Sequence, residues 1–276
     1  MKGAIIGDIC GSIYEFNNAT SKNVPLLTKR STFTDDTVMT VAVMDWLLDT
    51  TRDIRLVMKE WASKYPNAGY GRKFYDWVLS DDMEPYYSCG NGAAMRISPV
   101  GWYARDIWEC MELSNQVTKV THNHPAGLKG AECTARLVEA AKVGMDKEYL
   151  AEVFANYYSD SDIYGQTLEE MRIGTGGEHG KEICQFSVPQ AIQCFLYSNS
   201  FEDCIRNCIS IGGDTDTICA IAGGIAEAFY GKDGSGEVDE LWKMVVYGNY
   251  IPYEMVQMVE KFYGMCEKRA KLWKIE

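Results

Sequence analysis

The chain has only three histidines and seven prolines in 276 residues, and its ten cysteines include no Cys-x-x-Cys pair. So few imidazoles and no paired thiols argue against a soft-metal site with the usual ligand spacing. Cys204 and Cys208 stand four apart and could share a helix face. Free thiols buried in a reducing cytoplasm are the simpler reading. No block of Lys and Arg occurs, and 27 basic against 39 acidic residues leave a formal charge of −12. A nucleic-acid backbone is therefore a poor partner. No apolar stretch approaches the roughly 20 residues that cross a bilayer. Met1 to Phe16 carries Gly3, Gly7, Asp8 and Glu15 and does not read as a secretory signal. The expectation is a cytoplasmic monomer with no membrane association.

What is present is helical periodicity. Apolar residues recur at helical spacing over 36–49, 53–64, 126–143, 147–158, 189–198, 201–210, 217–230 and 250–272. Period-2 alternation is nearly absent, so the fold class expected is all-α. A hydrophobic content of 46% is enough for a large core. The first segment, Lys2 to Asp8, has the look of a strand entering a Gly-rich turn. However, Gly3, Gly7 and Gly11 recur every four residues, as do Ile5, Ile9 and Ile13. That pattern is one helix with a glycine stripe. Each glycine costs a helix about 1 kcal/mol relative to alanine, so the stripe needs a close packing partner. Residues 17–33 read as a loop and a candidate lid, 159–180 as a second long loop, and 231–236 as a surface turn. No repeat or linker divides the chain, and residues 1–276 are read as a single domain.

Two short clusters carry the chemistry. Thr34-Asp35-Asp36-Thr37 and Gly212-Gly213-Asp214-Thr215-Asp216-Thr217 each stand before a long apolar run. Helix capping explains one Thr or Asp at such a place. It does not explain four together, because adjacent carboxylates repel unless a cation lies between them. Two acidic helix mouths of one design point to a shared two-metal centre, and an all-oxygen donor set suits Mg²⁺, Mn²⁺ or Ca²⁺. The turn Ser88-Cys89-Gly90-Asn91-Gly92 brings backbone N–H groups close to a ligand and suits a phosphate, although Gly-Asn-Gly is also a common turn. Met95 and Ala94 behind it are expected in the core. Of the two histidines in Thr121-His122-Asn123-His124-Pro125, His122 is the better candidate to hydrogen-bond a ligand. Trp46, Trp61, Trp77, Trp102 and Trp108 default to core packing. Tyr86 and Tyr87 are placed to stack on a base or ribose.

Read in order, GDICGSIYE (7–15), FTDDT (33–37), SCGNGAAMRISPVG (88–101), THNHP (121–125) and GGDTDT (212–217) resemble the ADP-ribosylglycohydrolase family, which includes the dinitrogenase-reductase-activating glycohydrolases. The resemblance implies an all-α domain that binds two Mg²⁺ (or Mn²⁺) and hydrolyses the bond between C1″ of ADP-ribose and an acceptor. Its substrate would be an ADP-ribosylated protein or an ADP-ribose conjugate. By motif match, Thr34, Asp35, Asp36, Asp214, Asp216 and Thr217 look like the metal ligands. Glu15 looks like the catalytic glutamate, with Asp36 and Asp216 also essential to catalysis. Ser88, Gly90 and Asn91 resemble the diphosphate and ribose contacts, and His122 the ribose-contacting histidine. Asp8 is read as structural support. Cys89 stands where relatives often carry an aromatic, and Tyr87 is a candidate to compensate. A catalytically silent ADP-ribose-binding relative and a metal-dependent phosphohydrolase are the competing readings. The acceptor (arginine, serine, nucleobase, ester or small molecule) would be set by loops such as 17–33 and 159–180.

Overall fold

The computed structural model describes residues 1–174, 182–231 and 236–273, with the side chains of 173, 174, 272 and 273 excepted. His179, part of the second long loop and most of the turn at 231–236 lie outside the described residues. Among those residues the elements are α1 (Lys2–Gly11), α2 (Asp35–Leu48), α3 (Ile54–Lys64), α4 (Arg72–Leu79), α5 (Gly92–Met95), α6 (Ser98–Tyr103), α7 (Ile107–Lys119) and α8 (Pro125–Val143). They continue as α9 (Lys147–Tyr158), α10 (Leu168–Gly174), α11 (Cys184–Leu196), α12 (Phe201–Ile211), α13 (Thr215–Tyr230), α14 (Glu237–Tyr247) and α15 (Tyr253–Trp273). The fold is all-α. The nearest thing to a strand among the described residues is one antiparallel bridge between Gly90 and Ile183.

The glycine stripe of α1 organises the rest. A Cβ at Gly3 would stand 2.2 Å from the carbonyl oxygen of Gly223, one at Gly7 2.1 Å from that of Cys219, and one at Gly11 2.4 Å from that of Thr215. As one number rises by four, the other falls by four, so α1 and α13 run antiparallel with their backbones in contact. Any side chain on that face would push them apart. This antiparallel register carries the C-terminal end of α1, and Glu15 just beyond it, to the N-terminus of α13. Ala220, Ala222, Gly224 and Ala226 are buried on α13, whose small side chains let its other neighbours approach.

One continuous apolar cluster runs from Met1 to Phe262 and takes in residues of most helices. Ala94 and Met95 belong to it, as do Trp46, Trp61 and Trp77, whereas Trp108 is 75% exposed and is a correction to its expected place in the core. All ten cysteines are free, and eight of them are buried. Helix α11 begins at Cys184, with Pro189 inside it, so the proline does not mark the helix start that the 189–198 reading implies. Residues 168–174 form α10, so the second long loop is shorter than expected.

The 17–33 segment is not a free lid. Arg206 Nη1 donates to the carbonyls of Lys22 (2.7 Å) and Val24 (3.0 Å), and Lys22 pairs with Asp203 at 2.8 Å. Tyr14 Oη donates to the Pro25 carbonyl at 2.6 Å. The loop is thereby pinned to α12 and to the end of α1. No described helix is long and apolar enough to cross a membrane.

Candidate active site

The first turn of α2 is capped from another helix. Asp8, wholly buried on α1, accepts from Thr34 N (2.9 Å), Thr34 Oγ1 (2.8 Å) and Thr37 N (3.1 Å), and also from Thr37 Oγ1. One carboxylate thus satisfies the helix mouth and leaves Asp35 and Asp36 free of capping duty. At α13 the preceding backbone reaches Asp214 through Gly212 and Gly213, both at positive φ (75° and 86°), a region that glycine enters without strain. Asn18 Oδ1 fixes that turn by accepting from Gly213 N at 2.7 Å. Asp214 sits at the N-cap position but makes no capping bond with its side chain. Instead its Oδ2 accepts from Asn91 Nδ2 at 2.5 Å, and the same amide donates to Ser187 Oγ at 2.8 Å.

The two mouths meet. Thr217 Oγ1 of α13 donates to Asp36 Oδ2 of α2 at 3.2 Å. One ligand oxygen from each of Glu15, Asp214 and Asp216 falls within 4.8 Å of the others. Asp36 Oδ1 and Asp216 Oδ1 are buried with no hydrogen-bond partner. A buried carboxylate oxygen without a donor is costly unless something cationic covers it.

The electrostatics agree. Burial, then repulsion from Asp214, Glu182 and Asp8, raises Glu15 to about 7. Burial, then Asp8 and Asp214, raises Asp35 to about 8. Asp216 rises to about 7, chiefly through burial. Asp36 and Asp214 are pushed well above the carboxylate range by burial, each with Asp216 as the largest charged neighbour. Asp8 reaches only about 6, because its four hydrogen bonds from Thr34 and Thr37 work against burial. A divalent cation among these oxygens would reverse the balance, and an all-oxygen set of carboxylates and hydroxyls fits Mg²⁺ or Mn²⁺.

Glu15, the six ligand candidates of the two clusters, and Ser88, Gly90, Asn91 and His122 all border one cleft of about 390 Å³. The Gly90–Gly92 turn does not present a row of free N–H groups. Gly90 N donates to Ser88 Oγ (3.0 Å), Asn91 N to the Glu182 carbonyl (3.1 Å), and the helix that follows is one turn long. The glycines serve close approach to His122. A Cβ at Gly92 would lie 3.1 Å from His122 Nε2, and one at Gly90 3.4 Å from it. His122 is itself buried, with Nδ1 2.8 Å from Thr121 Oγ1. Burial, aided by the Arg96 charge, holds its pKa well below the usual value, so the ring is neutral. His124 is structural, its Nδ1 accepting from Ala126 N at the start of α8.

Several residues of the cleft wall escape a reading of the sequence alone, Arg72, Lys73, Arg96 and Glu182 among them. Arg96 lies in the Gly90–Gly101 run, where its type is visible but its burial is not. Glu182 arrives through the Gly90–Ile183 bridge, a tertiary contact with no local signal. Tyr86 lines the cleft, and Tyr87 does not. Tyr87 has φ 52°, stands 60% exposed and packs edge-on to His124 with ring centroids 4.8 Å apart. It does not stand in for the aromatic absent at Cys89.

Known proteins bear on this arrangement in three ways. The chain is 27% identical over 317 residues to the ADP-ribosylhydrolase ARH3 of Mus musculus, covering 88% of this chain and 85% of that one. It is equally 27% identical to the ARH3 of Homo sapiens, with 88% and 86% covered. A solved structure described as an ADP-ribosylglycohydrolase-related protein complex superposes with a TM-score of 0.70 at 20% identity, over 96% of this chain and 95% of that one, which shows the fold. The family model for ADP-ribosylglycohydrolase matches residues 1–271, a span that holds both acidic helix mouths and the cleft between them. The chain belongs to the ADP-ribosylglycohydrolase family.

Proposed function

We propose that the protein hydrolyses the bond between C1″ of ADP-ribose and an acceptor on a modified protein or small molecule. In this reading Thr34, Asp35, Asp36, Asp214, Asp216 and Thr217 hold two Mg²⁺ or Mn²⁺ ions, and residues 1–276 act as one catalytic domain. The observation that carries the reading is the pair of buried, partnerless oxygens, Asp36 Oδ1 and Asp216 Oδ1, at the junction of two helix mouths that open on one cleft.

When bound, the cations supply Lewis acidity to ribose oxygens and to a water, and they offset the charge of the cluster. The chain's own groups do the rest. Asn91 holds Asp214 through its amide, which fixes that carboxylate against rotation. His122 lines the cleft with Nε2 beside the glycine turn, and in this reading it hydrogen-bonds a ribose hydroxyl. Glu15, on the wall of the cleft, has an affinity for protons near neutrality when no cation is present. That suits a group that takes a proton from an attacking water or returns one to a leaving acceptor. As the C1″ bond breaks, positive charge develops on the sugar ring, and the surrounding carboxylates stabilise it.

All six ligand positions carry oxygen donors, which favours turnover over silent binding. The test is incubation with Mg²⁺ and a panel of defined conjugates (arginine-, serine- and ester-linked ADP-ribose), followed by product identification. Free ADP-ribose from at least one conjugate is expected. Binding without release, or release of phosphate instead, would overturn the assignment.

A further inference from the structure

Arg96 is an arginine without a carboxylate. It is 1% exposed, and among the described residues no Asp or Glu pairs with it. Its Nη2 donates to Thr121 Oγ1 at 2.7 Å, and the same oxygen lies 2.8 Å from His122 Nδ1. We propose that Arg96 and Thr121 are positioning residues that lock His122 in its Nε2–H tautomer, so that the imidazole offers the cleft a hydrogen-bond donor and not an acceptor.

The argument is one of counting protons. A guanidinium has only donors, so Thr121 Oγ1 must accept from Arg96. The hydroxyl then has one proton to give. Thr121 is fully buried, and two groups stand near its hydroxyl: His122 Nδ1 at 2.8 Å, and the Tyr86 hydroxyl, which is buried with no other partner. Were Nδ1 protonated, Thr121 would receive two donors and its proton could turn only to the Tyr86 oxygen, which leaves the buried phenol proton without a partner. With Nδ1 as the acceptor, Arg96 and the Tyr86 hydroxyl can both donate to Thr121, and every proton is placed. An imidazolium would suffer the same conflict, with the Arg96 charge added. The neutral ring therefore carries its proton on Nε2. That atom makes no hydrogen bond to any described residue, is not sealed off from the cleft, and stands where Cβ atoms at Gly90 and Gly92 would crowd it. Tyr86 lies edge-on to the ring, with centroids 5.9 Å apart. A donor at this place selects a lone-pair oxygen of the ligand. That this oxygen is a ribose hydroxyl rests on the proposed function, whereas the tautomer does not.

Nitrogen NMR on uniformly ¹⁵N-labelled, ligand-free protein reads the tautomer directly, with His122 assigned by the signal lost in His122→Gln. The expected wild-type pattern is a protonated Nε2 and an unprotonated, hydrogen-bonded Nδ1. Thr121→Val removes the donor to Nδ1 and Arg96→Met frees Thr121 to accept. Both should shift the His122 nitrogens towards a mixture of tautomers, with Thr121→Ser restoring the wild-type pattern. A proton on Nδ1 in the wild type, an imidazolium near neutral pH, or nitrogens unmoved by either substitution would overturn the proposal. The wild-type spectrum decides even where a variant does not fold. In a calorimetric titration with ADP-ribose, Thr121→Val should bind about tenfold more weakly and Thr121→Ser within a fewfold of wild type. Equal affinity for Thr121→Val would overturn the positioning role. No ADP-ribose binding by wild type would instead overturn the proposed ligand while the NMR result stands.

Discussion

Because Asp36 Oδ1 and Asp216 Oδ1 are buried without donors, each carboxylate in the cation-free protein is held against its preference for water. Removing the charge while keeping the shape relieves that cost and removes a proposed metal ligand. Asp36→Asn is therefore expected to raise the melting temperature of the cation-free protein, by roughly 2–4 °C per kcal/mol recovered. The same substitution should abolish the shift expected from Mg²⁺ in the wild type, and cut turnover by more than about 100-fold. Thermal scans in EDTA and in Mg²⁺ check both. Asp8 behaves in the opposite way, because its oxygens accept two backbone N–H groups and two hydroxyls. Asp8→Asn turns an acceptor edge into a donor facing donors, and about 2–3 kcal/mol of stability should be lost in urea unfolding. The sequence shows Asp8 as a residue of the first motif, but not that it caps a helix whose N-cap residue stands 26 positions later. Residue type is local information, whereas a partner across helices is not. Arg96, Thr121 and Glu182 were hidden for the same reason.

At the scale of elements, the glycine stripe was legible because its period matches a helix and glycine at that period has a steric meaning. What the stripe packs against was not, since α13 lies at the far end of the chain. Gly7→Ala places a methyl 2.1 Å from the Cys219 carbonyl oxygen, an atom of a packed backbone that has nowhere to move. A loss above about 3 kcal/mol, or failure to fold, is expected in urea titration. Gly264, within α15, has nothing within 4 Å of its would-be Cβ. Gly264→Ala should leave stability unchanged or add up to about 1 kcal/mol, as alanine does in an exposed helix. Helices α7 and α14 lie outside the apolar runs read from the sequence, yet each carries a local signal. Asp106 accepts from Glu109 N at 2.9 Å, an N-cap visible as Asp-x-x-Glu. Val238, Leu241, Trp242 and Val245 are buried at helical spacing on α14. Helix α5 is different, because a single turn has no period to detect.

For the whole molecule, an excess of acidic residues and a site built from carboxylates give a defined pH response. Asp8, Glu15, Asp35 and Asp216 are raised to about 6, 7, 8 and 7. Groups raised above their unfolded values favour the folded state at low pH, and that contribution is lost as pH climbs through their folded values. In EDTA, the melting temperature should therefore fall between about pH 5 and pH 8. Over the same window the gain on adding Mg²⁺ should grow, because the ligands must be deprotonated to bind. A melting temperature that rises with pH in EDTA would contradict the raised values. The central claim, that the two helix mouths jointly hold the cations that make this cleft a hydrolase, is tested most directly by one assay. It is the release of ADP-ribose from a cleavable conjugate by wild type, Asp36→Asn and Asp216→Asn, each in Mg²⁺ and in EDTA. Release by the wild type in Mg²⁺ alone, with both variants silent, is the predicted result. Undiminished release in EDTA, or from either variant, would contradict it.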